Sequence, residues 1–91
     1  MIKFLAPTAV ASIGATPLQR NSTGNESLVL NVYNASASTR TVTVAITNGA
    51  TVTFSFALAA GTPHSLLLTN EGNLSVSADG TGVSGWLAKS N

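Results

Sequence analysis

Residues 40–58 read RTVTVAITNGATVTFSFAL, and they are the part of the chain most informative about its architecture. In its first half large apolar residues alternate with small polar ones, and after Asn48 and Gly49 the same alternation resumes. Successive side chains of an extended strand point to opposite faces, so each half predicts a β-strand with one apolar and one hydroxylated face. Two such strands joined through Asn-Gly are typical of a β-hairpin.

The rest of the chain divides into further short strands separated by turn-forming residues. We expect these strands within residues 1–5, 8–14, 28–34, 64–69, 74–78 and 83–88. In the second of them Val10 and Ile13 are expected to face inward. Residues 17–27 (PLQRNSTGNES) are rich in turn formers, so we predict a loop there.

Strands of this length and spacing predict an all-β fold: a single small immunoglobulin-like β-sandwich, with a small β-barrel as the alternative. Residues 1–27 are interpreted as an N-terminal arm with edge strands and a loop, within the same domain. Residues 28–91 are interpreted as the sandwich core. The large apolar residues expected to face the interior are Leu28, Leu30, Val32, Val42, Val44, Ile46, Val52, Phe54, Phe56, Leu58, Leu66, Leu68, Leu74 and Val76.

The composition excludes several classes of function. Of 91 residues only 8% are charged, whereas roughly 25% is usual in a soluble protein, and the net charge is +1. So few cations form no basic patch, which argues against nucleic acid as a partner. The chain has no cysteine for a disulfide or a thiolate metal site. No apolar run approaches the roughly 20 residues of a membrane-spanning helix, so we expect no membrane partner.

The residues that could support catalysis are few and scattered. Glu26, Glu71 and Asp79 are each predicted to lie in a different turn or loop, whereas a pair of catalytic carboxylates must converge on one cleft. His64 is the only histidine, which excludes a multi-histidine metal site within one chain. Neither a Gly-x-Ser-x-Gly nucleophile motif nor a phosphate-binding loop is present. We therefore predict no enzyme activity, no cofactor and no metal.

Four Asn-x-Ser/Thr motifs begin at Asn21, Asn25, Asn34 and Asn73, and each matches the pattern for N-glycosylation. A chain so rich in Asn, Ser and Thr produces such motifs by chance, which is how we interpret them.

Three segments together resemble a known family. They are residues 28–44 (LVLNVYNASASTRTVTV), 56–61 (FALAAG) and 74–78 (LSVSA). They are similar to the small β-sandwich head decoration, or cement, proteins of tailed bacteriophages, notably those of cyanophages. The resemblance implies a non-enzymatic virion protein on the outer capsid surface, commonly a homotrimer, that staples neighbouring major capsid proteins.

Contact candidates come from the outward-facing positions rather than from the resemblance. Ile2, Phe4 and Leu5 are expected to anchor the arm to a neighbouring subunit, and the other candidates are Tyr33, Leu67 and Trp86. Two other functions remain open. One is a carbohydrate- or host-surface-binding module that stacks sugars on exposed aromatic rings, and the other is a different virion component of the tail, neck or baseplate.

Overall fold

The computed structural model describes residues 11–14, 16–21, 26–70 and 72–89. Over these residues the chain forms eight strands and no helix. The strands are β1 (Ala11–Ser12), β2 (Leu18–Asn21), β3 (Glu26–Asn34), β4 (Arg40–Asn48), β5 (Ala50–Leu58), β6 (Pro63–Asn70), β7 (Asn73–Ala78) and β8 (Val83–Lys89). The hairpin expected from residues 40–58 is confirmed as β4 and β5.

The strands form two four-stranded antiparallel sheets. The first sheet has the order β1-β8-β3-β6, and the second has the order β2-β7-β4-β5. Apolar side chains of both sheets meet in one cluster, and the sheets do not close into a barrel. The prediction of an all-β sandwich is therefore confirmed.

The pairing follows a simple nested rule. β4 pairs with β5, β3 with β6, β2 with β7 and β1 with β8, so the chain runs as one long antiparallel ribbon folded back at Gly49. Winding of this ribbon brings β8 beside β3 and β7 beside β4, which divides it between two sheets. This strand order is that of a jelly roll. It differs from the immunoglobulin order, in which the first, second, fifth and fourth strands share a sheet.

The core lies between the two sheets. Its buried apolar residues are Ile13, Leu28, Leu30, Val32, Val42, Val44, Leu58, Leu68, Leu74, Val76, Val83 and Leu87. Most residues expected inside are in this cluster, and Ile46, Phe56 and Leu66 are partly buried against it. Ile13 faces inward as expected, and its backbone bonds both Val83 of the first sheet and Ala78 of the second.

Two residues of the expected core are exposed, so that part of the prediction is wrong. Val52 is 65% and Phe54 39% exposed. Their cross-strand partners are Ile46 and Val44, which places all four side chains on the inner face of the second sheet. β5 is the edge strand of that sheet, and toward the Gly49 turn the first sheet does not cover it.

The loop predicted for residues 17–27 is also wrong in part, because β2 lies within it and β3 already begins at Glu26. β2 pairs with β7 from Leu18 opposite Val76 to Asn21 opposite Asn73. Its sequence, LQRN, has no alternating apolar pattern. Pairing with a well-formed neighbour overrides local preference at such an edge. The strand predicted within residues 1–5 and the position of Val10 lie outside the described residues.

Asn34 is a fully buried polar residue at the end of β3. Its Nδ2 donates hydrogen bonds to the backbone oxygens of Ser38 and Leu58, both at 2.8 Å. Its Oδ1 accepts from the backbone nitrogen and the hydroxyl of Ser36, at 2.9 and 2.6 Å. The side chain therefore joins β3, the following turn and the end of β5. Because the glycan-accepting nitrogen is enclosed, the Asn34 motif is not a glycosylation site in the folded protein.

Candidate interaction faces

The outer face of the first sheet is set by the alternation along β3. Leu28, Leu30 and Val32 point into the core, so the residues between them point outward. The register gives three rows across β6, β3 and β8: Leu67–Val29–Ala88, Ser65–Asn31–Trp86 and Pro63–Tyr33–Ser84.

Three of the predicted contact residues lie on this face. Leu67 is 61% exposed, Tyr33 is exposed and Trp86 is partly buried. Tyr33 is paired with Ser84, so Trp86 is its diagonal neighbour on the adjacent strand. The Cα atoms of such diagonal neighbours are typically about 7–8 Å apart. The register thus places the two aromatic residues on adjacent strands of one face, with Leu67 farther along the same face. Ile2, Phe4 and Leu5 lie outside the described residues.

The polar groups between these side chains are oriented. The Ser65 hydroxyl donates a 2.8 Å hydrogen bond to Oδ1 of Asn31, in the row that contains Trp86. The face therefore combines two aromatic rings and a leucine with a fixed amide and hydroxyls. Such a surface can pack against a protein or a sugar, since both present apolar patches beside hydrogen-bonding groups.

Two residues of this outer face are buried, which the sequence analysis missed. Val29 is 1% and Ala88 4% exposed, and they are direct cross-strand partners. The signal was the unbroken apolar run at residues 28–30, because an uninterrupted run is typical of a strand buried on both sides.

The outer face of the second sheet is hydroxylated and neutral. Alternation along β4, β5 and β7 directs to it a set of small polar side chains: Thr41, Thr43, Thr47, Thr51, Thr53, Ser55, Asn73, Ser75 and Ser77. Between β2, β7 and β4 it forms a cavity of about 420 Å³, whose polar lining includes Gln19, Asn21 and Asn73. These amides and hydroxyls can form hydrogen bonds but supply neither a general base nor an activated nucleophile.

Arg20, Glu26 and Asp79 serve local structure. Arg20 of β2 makes a two-pronged ion pair with Glu26 of β3, with Nε–Oε1 at 3.0 Å and Nη2–Oε2 at 2.6 Å. The hydrogen bond to Glu26 raises the pKa of Arg20. The Asp79 carboxylate accepts a 3.0 Å hydrogen bond from the backbone nitrogen of Thr41 and so holds a turn against β4.

These groups do not converge on a site. His64 is exposed, and its ring lies 5.0 Å from that of Phe56. Glu71 is outside the described residues. Within the described ranges, no three His, Asp or Glu side chains are grouped so that they could hold a metal ion. The same part of the chain has no helix that could span a membrane.

No family model, no curated protein and no solved structure matches this chain.

Proposed function

We propose that this protein is a non-enzymatic structural protein of a tailed bacteriophage, a decoration protein that joins neighbouring major capsid subunits on the outer capsid surface. The observation that carries the proposal is the outer face of the first sheet, where Tyr33, Leu67 and Trp86 share one side of a compact sandwich. The jelly-roll strand order adds support by analogy alone, since viral capsid proteins also use this fold.

The proposed mechanism is burial of this face on the assembled shell. Exposed apolar area removed from water contributes roughly 25 cal/mol per Å², so each copy adds a small increment and many copies add a large one. If the contact exists only on the expanded shell, binding stabilises that shell by linkage. The low charge of the chain suits a crowded surface, because copies bound side by side repel each other little.

The resemblance further implies a homotrimer, and the proposal keeps the N-terminal arm as a second contact. Ile2, Phe4 and Leu5 would anchor it to a neighbouring subunit. Deletion of residues 1–8 should then abolish binding to particles while the sandwich stays folded. A truncated protein that still decorates shells would contradict the arm contact but not the contact through the first sheet.

The direct test combines copy number with a binding assay. Quantitative mass spectrometry of purified virions should give many copies, in a fixed ratio to the major capsid protein. Purified protein should also bind shells that lack it. Leu67→Lys should weaken this binding at least about tenfold, because it places a charge in the buried contact. Thr41→Lys, on the outer face of the second sheet, should leave it unchanged.

The outcomes separate the alternatives. A few copies per virion would instead indicate a tail, neck or baseplate component. Absence from virions, or equal effects of Leu67→Lys and Thr41→Lys, would contradict the capsid proposal.

A specific observation favours a second candidate, a carbohydrate-binding module. Tyr33 and Trp86 are diagonal neighbours, with the oriented Asn31 amide directly opposite Trp86 and Ser84 directly opposite Tyr33. Aromatic rings flanked by hydrogen-bonding groups suit a sugar ring, and lectin domains also use jelly rolls. A glycan array with the purified chain tests this function. Binding should be lost in Tyr33→Ala and largely kept in Tyr33→Phe, which retains the ring. If no glycan binds, or if Tyr33→Ala binds as well as the unmodified chain, this candidate is excluded.

A further inference from the structure

β5 is an edge strand without the features that usually protect one. It has nine residues, none charged and none proline, and its register with β4 is unbroken from Arg40–Leu58 to Asn48–Ala50. Within the described residues no strand pairs with its other side. Natural edge strands are commonly blocked by lysine, proline, a bulge or a short length, because unpaired backbone groups recruit other strands. Alternate residues of β5 therefore present backbone N–H and C=O groups for pairing.

The same edge carries exposed apolar side chains. Val52 and Phe54 lie on the inner face of the second sheet, where the first sheet does not cover them. One added strand could pair with the free backbone and also cover these two side chains. That strand would have to be apolar on one face and hydroxylated on the other.

The sequence of β5 has this pattern, and the pattern is symmetric. We infer that β5 docks against β5 of a second copy of this chain, as an antiparallel pair around a twofold axis. Phe54 is the central residue of the nine. With the axis at Phe54, Val52 lies opposite the partner's Phe56, and Thr53 lies opposite the partner's Ser55. Apolar residues then meet apolar ones on one face, and hydroxyls meet hydroxyls on the other.

The self-pairing has no electrostatic penalty, since the strand contains no charge that would face its own copy. It satisfies the condition for a twofold interface, in which the same patch serves both subunits. It also extends each four-stranded second sheet into one continuous eight-stranded sheet. A single strand pair buries less than the 1,200–2,000 Å² or so of a standard stable interface. We therefore expect a weak, concentration-dependent dimer that becomes populated where copies are crowded.

This inference does not depend on the proposed capsid role, because it uses the edge of the second sheet and not the outer face of the first. If the dimer forms through β5, the threefold contact that the resemblance implies must use other surfaces of the sandwich. The two proposals can therefore fail separately.

Sedimentation equilibrium of the full chain and two variants tests whether the β5 edge is the surface of self-association. Val52→Lys and Thr41→Lys introduce the same charge at exposed positions of the second sheet, the first at the free edge and the second on the outer face of β4. We expect the unmodified chain to self-associate. Val52→Lys should raise the dissociation constant at least about tenfold, and Thr41→Lys should leave it unchanged. A chain that stays monomeric up to its solubility limit, or equal weakening by both variants, would overturn the inference.

Cross-linking tests the register and does not rely on a destabilising charge. The chain has no cysteine, so each substitution introduces the only thiol. In Phe54→Cys the two cysteines would lie opposite each other across the axis, where Cα atoms are about 4.5–5.5 Å apart, within the Cα range of disulfides. Under mild oxidation Phe54→Cys should form a disulfide-linked dimer far faster than the control Thr41→Cys, whose thiol lies on the outer face of β4. Faster cross-linking of the control, or equal rates, would contradict the pairing.

Discussion

β4 and β5 have nearly the same sequence pattern, yet they occupy different environments. Val44 is fully buried, while its cross-strand partner Phe54 is exposed, although both point to the same face of the sheet. β4 has β7 on its other side, whereas no strand among the described residues lies on the other side of β5. An alternating pattern therefore specifies which way side chains point. Whether they are covered depends on the position of the strand in the sandwich.

Hydrogen exchange should show the largest difference between the two strands. Residues 42–47 of β4 lie between two partner strands, whereas every second N–H of β5 faces the free edge. Global stability of about 5 kcal/mol or more corresponds to protection of more than about a thousandfold, which only fully paired amides can reach.

The measurement is best made on Val52→Lys, in which the proposed self-pairing is blocked. Alternate amides of β5 should then exchange at least about a hundredfold faster than those of β4. Uniform protection along β5 in this variant would mean that the edge is covered in the monomer.

Asn34→Ala tests what holds the Leu58 end of β5, which is buried, whereas the end near Gly49 is exposed. The Asn34 amide holds the Leu58 end, and its loss leaves the backbone oxygens of Leu58 and Ser38 without this donor. We expect a loss of about 3 kcal/mol in the free energy of unfolding, measured by urea denaturation.

Asn31→Ala is the matched control, since this amide lies on the outer face and accepts one hydrogen bond from Ser65. Its removal should cost less than about 1 kcal/mol. Equal costs for the two variants would show that the buried Asn34 network does not stabilise the β5 end.

A single substitution placed in both strands tests burial directly. Val44→Thr puts a hydroxyl into the core at nearly constant shape and should cost about 1–3 kcal/mol. Val52→Thr makes the same change at an exposed position and should stay within about 0.5 kcal/mol of zero. Thermal or urea unfolding of the pair measures the difference. A large cost at Val52 would mean that its side chain is covered in solution.

The smallest expected effect concerns the opposite edge of the second sheet, where β2 carries an ion pair. Glu26→Gln removes the partner charge of Arg20 and should cost about 0.5–1 kcal/mol in the free energy of unfolding. Because the pair is partly exposed, the difference from the unmodified chain should shrink in molar salt. A cost that does not change with salt would show that packing and not charge is responsible. Urea denaturation of Glu26→Gln and of the unmodified chain at a series of salt concentrations separates the contribution of charge from that of packing.

Local pattern predicted much of the fold and part of the candidate faces. The β4–β5 hairpin, the outward direction of Leu67 and Tyr33 and the inward direction of Leu66 and Leu68 all follow from alternation. β2 was missed because its four residues have no such pattern and become a strand only beside β7.

The two-faced character of each regular strand follows from local sequence alone, because side-chain direction depends only on neighbours along the chain. The pairing of the other strands, the edge position of β5 and the placement of Tyr33 and Trp86 on adjacent strands follow from the tertiary structure. They join residues far apart in the chain, and no local pattern encodes which strand will lie beside which. Burial follows from that choice, because a face leaves water only when another layer covers it.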